Sequence, residues 1–242
     1  MEKVRIQKYL SNSGIISRRA AEKYILESRI TINGLPAKIG DTVDPSADIV
    51  KIDGKAVESQ NEYIYIALNK PVGYVTTMSD DKDRRDISAL LKNINTRIYP
   101  VGRLDMYSEG LLICTNDGEV ANKLMHPSHS ISKSYITVVT TEVTPDQLEK
   151  LSEPFEIDGY FLKPYEVELI GHLRAENNKT FSSLRFTLHE GRNREIRKIC
   201  AHNGLKVAKL TRISVGPVEL GNLPSGKWRY LTDEEIKKLK EI

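Results

Sequence analysis

The stretch Val101–Gly118, VGRLDMYSEGLLICTNDG, is the most informative one for the structure of the larger part of this chain. One carboxylate, Asp105, directly follows a Gly-Arg-Leu tripeptide, and the apolar run Leu111–Cys114 comes before a turn at Asn116–Gly118. The run has the length and composition of a buried strand bounded by turn residues. An aspartate in a glycine-flanked loop ahead of such a strand is typical of a positioned reactive group. The stretch therefore predicts a strand-rich domain with Asp105 in a functional site.

Length and composition are those of an ordinary globular protein. The chain has 242 residues, of which 39% are hydrophobic and 29% charged, and this length can bury a core without covalent staples. No apolar run approaches the roughly 20 residues of a membrane span, and the N-terminus lacks the apolar core of a secretion signal. Cys114 and Cys200 lie in apolar sequence without metal-ligand spacing. We therefore expect reduced core thiols in a cytoplasmic protein that does not bind membranes.

The positive charge is concentrated in two segments. The whole chain carries a net charge of +3, but residues 1–38 hold eight Lys and Arg against three Glu, and residues 191–212 hold seven Lys and Arg against one Glu. The remainder of the chain is therefore acidic. Two basic segments in a nearly balanced protein indicate a polyanionic partner that is bound at two places, and nucleic acid is the first candidate.

Residues 1–58 have the pattern of a small helix and hairpin module. Apolar residues at helical spacing predict a helix at Arg5–Ser11, and Ser17 is a suitable N-cap for a second helix at Arg18–Ser28. The dipeptides Asn33-Gly34 and Asp53-Gly54 each separate short apolar runs, which predicts two β-hairpins. Residues 59–63 are predicted to be a polar linker between this module and a second domain.

Residues 64–242 predict a larger α+β domain. Strands are predicted from alternating or continuous apolar runs at Tyr63–Leu68, Leu111–Thr115, Tyr135–Val139, Leu162–Leu169 and Leu184–Leu188. Helices are predicted at Ser88–Leu91, Glu119–Met125, Pro145–Leu151, Arg194–His202 and Asp233–Lys240. We expect a mixed, mostly antiparallel β-sheet with helices against its faces.

Several motifs of this second domain resemble those of pseudouridine synthases, in particular the RsuA-type branch that acts on ribosomal RNA. The motifs are LNKPVGYVTT, GRLD, SKSYITVV and EGRNREIRKIC, in that order. The phrase GIISRRAAEKYI in the first module resembles an S4-like RNA-binding domain. The resemblance implies isomerisation of uridine to pseudouridine in ribosomal RNA without a cofactor. The sequence near the C-terminus resembles the branch that modifies a hairpin of 23S ribosomal RNA.

The resemblance also assigns roles to individual residues. It makes Asp105 the catalytic carboxylate, Tyr135 the ring that stacks on the target base and Arg197 the cation that pairs with Asp105. The other implied substrate and RNA contacts are Lys70 at the floor of the site, Leu210 as an apolar wall, Arg192 and Arg194 at phosphates, and Arg5, Lys8, Arg18 and Arg19, with Ser17 and Asn33, in the first module. Arg103 would lie on the same face as Asp105 if that segment is extended. Ser108 stands where many members of the family have threonine.

The chemistry explains which motifs are absent. Isomerising uridine breaks the bond between ribose and a uracil nitrogen and rejoins the base through a carbon, without redox change or group donor. The chain has no GxGxxG, no phosphate-binding GxxxxGK[ST], no HExxH and no paired CxxC. His126 and His129 have no carboxylate or thiol at ligand spacing, so we expect no metal site. One carboxylate next to a cation is sufficient for the reaction.

Each single feature has a plainer interpretation. An aspartate in a turn commonly bonds its own backbone, a tyrosine such as Tyr135 can be a core aromatic, and Arg197 can be an ordinary helix residue. The alternative function is a non-catalytic RNA-binding factor associated with the ribosome. A metal-dependent nuclease is disfavoured because no carboxylates cluster near the basic segments. We expect a monomer, and the pattern leaves open whether transfer RNA or a ribosome assembly intermediate is also bound.

Overall fold

The computed structural model describes residues 3–58, 62–163, 165–175 and 179–242. The chain divides into two compact units, which are described separately below. The first contains Met1–Ile64 with Asn93–Ile98 and Thr115–Gly118, and the second contains Tyr65–Lys92, Tyr99–Cys114 and Glu119–Ile242. Most of the predicted linker, residues 59–61, lies outside the described residues. No helix among the described residues is long and apolar enough to cross a bilayer.

The elements are numbered in chain order. The helices are α1 Ile6–Asn12, α2 Arg18–Leu26, α3 Gly118–Met125, α4 Pro145–Leu151, α5 Glu195–His202 and α6 Asp233–Glu241, with 3-10 helices at Ile87–Leu90 and Pro127–His129. The strands are β1 Val4–Arg5, β2 Ile30–Ile32, β3 Leu35–Pro36, β4 Thr42–Val43, β5 Val50–Ile52, β6 Lys55–Ala56, β7 Tyr65–Lys70, β8 Tyr99–Pro100, β9 Glu109–Thr115, β10 Lys133–Val139, β11 Glu156–Ile157, β12 Tyr160–Phe161, β13 Glu166–Arg174, β14 Thr180–Leu188, β15 Val207–Val215, β16 Val218–Glu219 and β17 Trp228–Tyr230.

The first unit contains the two helices and two hairpins that the sequence predicts. Ser17 caps α2, because its side chain accepts a hydrogen bond from the Ala20 amide at 3.1 Å. The four-stranded sheet has the order β3-β2-β5-β6. Both hairpin turns have positive φ at Asn-Gly or Asp-Gly, as the two-residue turns of hairpins require. The buried faces of the helices and the sheet share one core, formed by Ile6, Leu10, Ala21, Ile25, Ile30, Ala37, Val43, Val50 and Val57.

The second unit is built on a nine-stranded sheet. Its main path has the order β13-β14-β10-β15-β9-β7-β17, and β16 and β8 pair beside it with β15 and β9. The ladders of β10 with β14 and β15, of β13 with β14 and of β7 with β17 are antiparallel, whereas β15 and β9 are parallel. The predicted fold class, α+β with a mixed and mostly antiparallel sheet, is confirmed.

Two hydrophobic clusters bury the sheet and its helices. One joins Tyr135, Phe186 and Leu210 of the sheet to Ile199 and Cys200 of α5. The other packs strands β7, β9 and β15 against α3 and α6. Cys114 and Cys200 are buried free thiols, and burial raises the pKa of each to about 12. Both cysteines are therefore unreactive core residues, as their sequence context predicts.

Candidate active site

The backbone around Asp105 is fixed at five consecutive carbonyl groups. Each of these carbonyls, from Leu104 to Ser108, accepts a hydrogen bond. The carbonyls of Leu104, Asp105 and Met106 accept from Thr76 Oγ1 at 2.7 Å, the Ser108 amide at 3.0 Å and the Gly73 amide at 2.8 Å, respectively. The carbonyls of Tyr107 and Ser108 accept from Arg197 Nη2 at 2.7 Å and Lys70 Nζ at 2.8 Å, respectively. Three separate sequence motifs thus meet at one turn. Because every carbonyl is bonded, the turn holds Asp105 in a defined position.

Lys70 lies directly beneath this turn. It is the last residue of β7, it is fully buried, and its ammonium donates to the carbonyls of Ser108 and Pro71 at 2.8 and 3.0 Å. Burial lowers the pKa of Lys70 from 10.5 to about 8, Arg212 adds to this effect, and Asp105 and Glu109 oppose it. Lys70 is therefore a partly desolvated cation that supports the turn from below.

Thr76 ties the same turn to the segment that follows β7. Its hydroxyl donates to the Leu104 carbonyl at 2.7 Å and accepts from the Leu104 amide at 3.1 Å. The Gly73 amide reaches the next part of the turn at the Met106 carbonyl. Neither Thr76 nor Gly73 was predicted from the sequence to be part of the site. Their position inside LNKPVGYVTT was the available signal.

Asp105 is one third exposed, and Arg194 is its ion-pair partner. Arg194 Nη1 lies 3.7 Å from Asp105 Oδ2. Arg194 precedes α5 and has a left-handed backbone, with φ 53° and ψ 34°, a conformation that is unfavourable for a residue with a side chain. Strained backbone of this kind tends to occur at functional sites, where the surrounding structure holds it in place.

Arg197 does not form the expected pair with Asp105. Its guanidinium instead donates from Nη2 to the Tyr107 carbonyl at 2.7 Å and, more weakly, to Ser108 Oγ at 3.4 Å. The reason is that Arg197 lies within the first turn of α5 and reaches the turn backbone, whereas Arg194 lies ahead of the helix. Desolvation lowers the pKa of Arg197, Arg194 lowers it further, and Asp105 opposes both effects.

Tyr135 and Leu210 lie in neighbouring strands and pack in one cluster with Leu104, the buried hydrophobic residue of the turn. Tyr135 of β10 pairs with Phe186 on one side and, at a β-bulge, with Arg212 on the other. Leu210 of β15 lies opposite Thr137. Both side chains are buried and belong to the same cluster as Leu104, which directly precedes Asp105. The structure thus brings the predicted aromatic and apolar residues into one hydrophobic cluster with Leu104.

Gly110 allows β15 to approach the strand that follows the turn. Gly110 has φ +104°, and a Cβ atom there would lie 2.3 Å from the Arg212 carbonyl oxygen. Arg212 is buried, its Nε donates to the Leu111 carbonyl at 2.7 Å, and its Nη2 is buried without a hydrogen-bond partner in the described structure. Arg212 was predicted only as part of a basic segment, but it is an internal cation next to the site.

Arg192 and Glu195 arrange the loop that carries Arg194. The Glu195 carboxylate is buried and accepts the Arg192 amide at 2.9 Å, and desolvation raises the pKa of Glu195. The Arg192 side chain stacks over Tyr160 and pairs with Glu190 at 3.2 Å. Arg192 is therefore engaged within the protein while remaining exposed, and its contact with phosphate stays a prediction. Arg192, Glu195 and Lys198 also line a cavity of about 150 Å³.

The remaining predicted contacts are found on surfaces. Arg103 is exposed, as are Arg18 and Arg19 in the first turn of α2. Arg5 is exposed and its guanidinium reaches the Gly40 carbonyl at 3.4 Å, while Lys8 is half-buried in α1. Asn33 is engaged within its own unit, because its amide donates to Asp48 and accepts from the Ile49 amide.

The chain matches two protein-family models and several curated relatives. A family model described as RNA pseudouridylate synthase matches residues 64–202, and a model described as S4 domain matches residues 4–49. The chain is 42% identical over 241 residues to an uncharacterized RNA pseudouridine synthase of Aquifex aeolicus, covering 99% of this chain and 94% of the relative. It is 38% identical over 239 residues to ribosomal large subunit pseudouridine synthase B of Bacillus subtilis, covering 98% and 96%.

A solved structure gives the same result for the fold. The crystal structure of a pseudouridylate synthase matches this chain with a TM-score of 0.68 at 27% identity, covering 98% of this chain and 99% of the other. The family model alone covers more than half of the sequence. The chain therefore belongs to the RNA pseudouridylate synthase family, and it is an RNA-modifying isomerase with an S4 domain.

Proposed function

We propose that this protein isomerises a specific uridine of large-subunit ribosomal RNA and that Asp105 is its catalytic carboxylate. The observation that carries the proposal is the turn at Leu104–Ser108, where residues from three motifs fix the backbone around one partly exposed carboxylate. The choice of RNA rests on the Bacillus subtilis relative, whose name assigns it to the large ribosomal subunit.

The reaction needs little more than this carboxylate. Asp105 either attacks the ribose carbon or takes a proton from the sugar, and both routes release the uracil nitrogen. The base then rotates and its carbon bonds to the ribose carbon; on the first route this step breaks the bond between Asp105 and the ribose, and on the second route Asp105 returns the proton to the sugar. The base carbon finally loses a proton while the nitrogen gains one. Atoms and charge balance without a donor or cofactor. Arg194 balances the negative charge of Asp105. The strained backbone of Arg194 supports a functional role for this contact.

The target uridine must leave its stack before Asp105 can reach its sugar. Extruding a base costs a few kcal/mol, and stacking on an aromatic ring returns about 1–3 kcal/mol. Tyr135 is the proposed stacking partner, with Leu210 as the apolar wall. Their membership of the cluster that contains Leu104 supports this assignment. Lys70 and Arg197 act as positioning residues, because they bond the backbone of the turn and do not pair with Asp105.

RNA would be held through phosphate contacts in both parts of the chain. We assign residues 1–58 to the RNA-binding domain and residues 64–242 to the catalytic domain. Arg18 and Arg19 occupy the first turn of α2, which contains no acidic residue. Two cations at the positive end of a helix are unfavourable alone and become favourable once an anion binds there. Arg5 and Lys8 extend the same basic module, and Arg103 and Arg194 supply exposed cations near Asp105.

The test uses ribosomal RNA transcribed in vitro, which contains no pseudouridine. Full-length 23S and 16S transcripts are incubated separately with the protein, and pseudouridine is mapped by chemical labelling and primer extension. We expect modification of one or a few uridines in the 23S transcript and none in the 16S transcript. The same positions should lack pseudouridine in ribosomes from cells without the gene. Modification of the 16S transcript alone, or of neither, would contradict the assignment to the large subunit.

A further inference from the structure

Tyr107 is an exposed aromatic residue two positions after Asp105. Its side chain is 62% exposed, although its neighbours Leu104 and Ser108 are buried. A large aromatic side chain that faces solvent keeps its apolar surface in contact with water. Here, next to a reactive carboxylate, that surface leaves water only when a ligand binds over the ring. The side chain has no role in the reaction described above, which uses only the carbonyl of this residue.

The backbone that carries this ring is unusually well fixed. The carbonyl of Tyr107 accepts from Arg197 Nη2 at 2.7 Å, and the carbonyls on either side accept from the Gly73 amide and from Lys70 Nζ, both at 2.8 Å. A ring on a rigid turn loses little conformational freedom when a ligand stacks on it, so more of the contact energy appears as affinity. The turn therefore presents the ring in a form suited to binding.

The surroundings of Tyr107 match the chemistry of a nucleotide. Val72 precedes Gly73, the residue bonded to the turn, and is 50% exposed, which adds an apolar surface on the adjoining segment. Exposed Arg103 supplies positive charge in the same GRLD stretch, and exposed Arg194, paired with Asp105, adds a second cation. Aromatic and apolar surface beside cations is the combination by which proteins bind unpaired nucleotides, with the ring on the base and the cations on phosphates.

We propose that Tyr107 is the stacking platform for an unpaired base that neighbours the target uridine in the RNA. This inference rests on the proposed function, because extruding the uridine leaves an adjacent base without its stacking partner. Tyr107 stacks on that base and holds the RNA in its opened form. It is thus a binding residue that favours substrates in which the neighbouring nucleotide is unpaired, distinct from Tyr135, which is assigned to the target base itself.

The experiment compares Tyr107→Ala, Tyr107→Phe and the control Tyr230→Ala. Tyr230 is a second exposed tyrosine, 58% exposed, in β17 and outside the site. The substrate is the 23S transcript, or the shortest fragment of it that is modified, and kcat/KM is measured for pseudouridine formation. We expect Tyr107→Ala to lower kcat/KM by about fivefold to 150-fold, as expected for loss of one stacking contact. Tyr107→Phe and Tyr230→Ala should remain within about twofold of the wild type.

A second arm removes the base instead of the ring. An abasic nucleotide is placed in turn on each side of the target uridine in the short substrate. On the correct side the abasic substitution should reduce the wild-type kcat/KM and abolish the difference between wild type and Tyr107→Ala. An unchanged kcat/KM for Tyr107→Ala, an equal loss in Tyr107→Phe, or additive losses on both sides would overturn the proposal. Each of these outcomes leaves the proposed function intact, whereas absence of wild-type modification would refute that function first.

Discussion

At the scale of single residues, the position of Asp105 depends on cations that do not pair with it. Lys70 and Arg197 each bond a carbonyl of the turn, and Arg194 alone among the described residues lies within ion-pair distance of the carboxylate. Both supporting cations are desolvated, and this lowers their pKa values. Burying a charge costs free energy unless the charge is well hydrogen-bonded. We infer that the fixed geometry of this turn is retained at a cost in folding stability.

Arg194 offers a test that separates strain from charge. Arg194→Gly and Arg194→Ala both remove the guanidinium, but only glycine adopts φ near 53° without penalty. We expect Arg194→Gly to have an unfolding free energy about 1 kcal/mol higher than Arg194→Ala, measured by urea denaturation. Both variants should lose about 10- to 100-fold in kcat/KM, since Asp105 is no longer oriented. A kcat/KM equal to that of the wild type in either variant would show that Arg194 does not orient Asp105.

Lys70 predicts a pH dependence of stability. Its pKa is about 8 in the folded protein and 10.5 when unfolded, so the unfolded chain binds more protons between these values and stability rises with pH across that window. The charged groups that act on Lys70 are the carboxylates of Asp105 and Glu109 and the guanidinium of Arg212. Relative to Lys70→Met, the wild type should gain on the order of 3 kcal/mol between pH 8 and 10.5. Parallel urea titrations of the two proteins check this, and equal slopes would contradict it.

At the scale of elements, the parallel contact between β9 and β15 shapes the site. Thr211 and Arg212 of β15 lie opposite Glu109 and Gly110 at the start of β9. Lys209 and Thr211 both bind the Glu109 carboxylate, at 2.9 and 2.8 Å. This contact places Arg212 and Leu210 next to the turn that carries Asp105. The glycine at position 110 makes the close approach possible.

Gly110→Ala should therefore be strongly destabilising. The new Cβ would meet the Arg212 carbonyl at 2.3 Å, and alanine is strained at φ +104°. We expect a loss of about 2–5 kcal/mol in unfolding free energy. Gly171→Ala in β13 is the control, since a methyl group added there would have nothing within 4 Å and its φ is not in the left-handed region. That variant should stay within about 0.5 kcal/mol of the wild type, and similar losses in both would contradict the explanation.

Local patterns predicted many elements well. Helix α4 has the predicted bounds Pro145–Leu151 because Thr144 and Gln147 form a capping box that local sequence specifies. The strand β15, in contrast, was not predicted. Its sequence VAKLTRISV contains buried Arg212 and exposed Lys209, and its ladder with β10 shifts register twice. Such bulges break the alternation by which a strand is recognised.

The pairing of Asp105 with Arg194, while Arg197 bonds the turn backbone, could not be predicted for a similar reason. Helical spacing places Arg197 on a face of α5, but it gives no direction for a residue ahead of the helix. Arg194 has a left-handed backbone and its side chain pairs with Asp105, and the loop that carries it contains the bond from the Arg192 amide to buried Glu195. The basic EGRNREIR segment predicted cations at the site, whereas the structure was needed to assign them.

At the scale of the whole molecule, positive charge is present in both parts of an otherwise acidic chain. The S4 domain and the segment around α5 carry the two basic stretches. Phosphate contacts fix the register of an RNA without reading its sequence, and contacts to bases supply the choice of nucleotide. Under the proposed function, exposed arginines of the first unit bind the RNA backbone and aromatic residues of the second unit bind bases. RNA affinity should accordingly fall steeply with salt.

The central claim is that Asp105 reacts with the substrate, and single-turnover kinetics of Asp105→Asn test it most directly. Asparagine keeps the shape of the side chain and removes the reactive charge, and Asp81→Asn in an exposed loop is the matched control. With enzyme in excess over modifiable RNA, Asp105→Asn should form pseudouridine at least about 100-fold more slowly than the wild type, while its RNA affinity stays within about twofold and Asp81→Asn matches the wild type. Pseudouridine formation by Asp105→Asn at a rate close to that of the wild type would contradict the account.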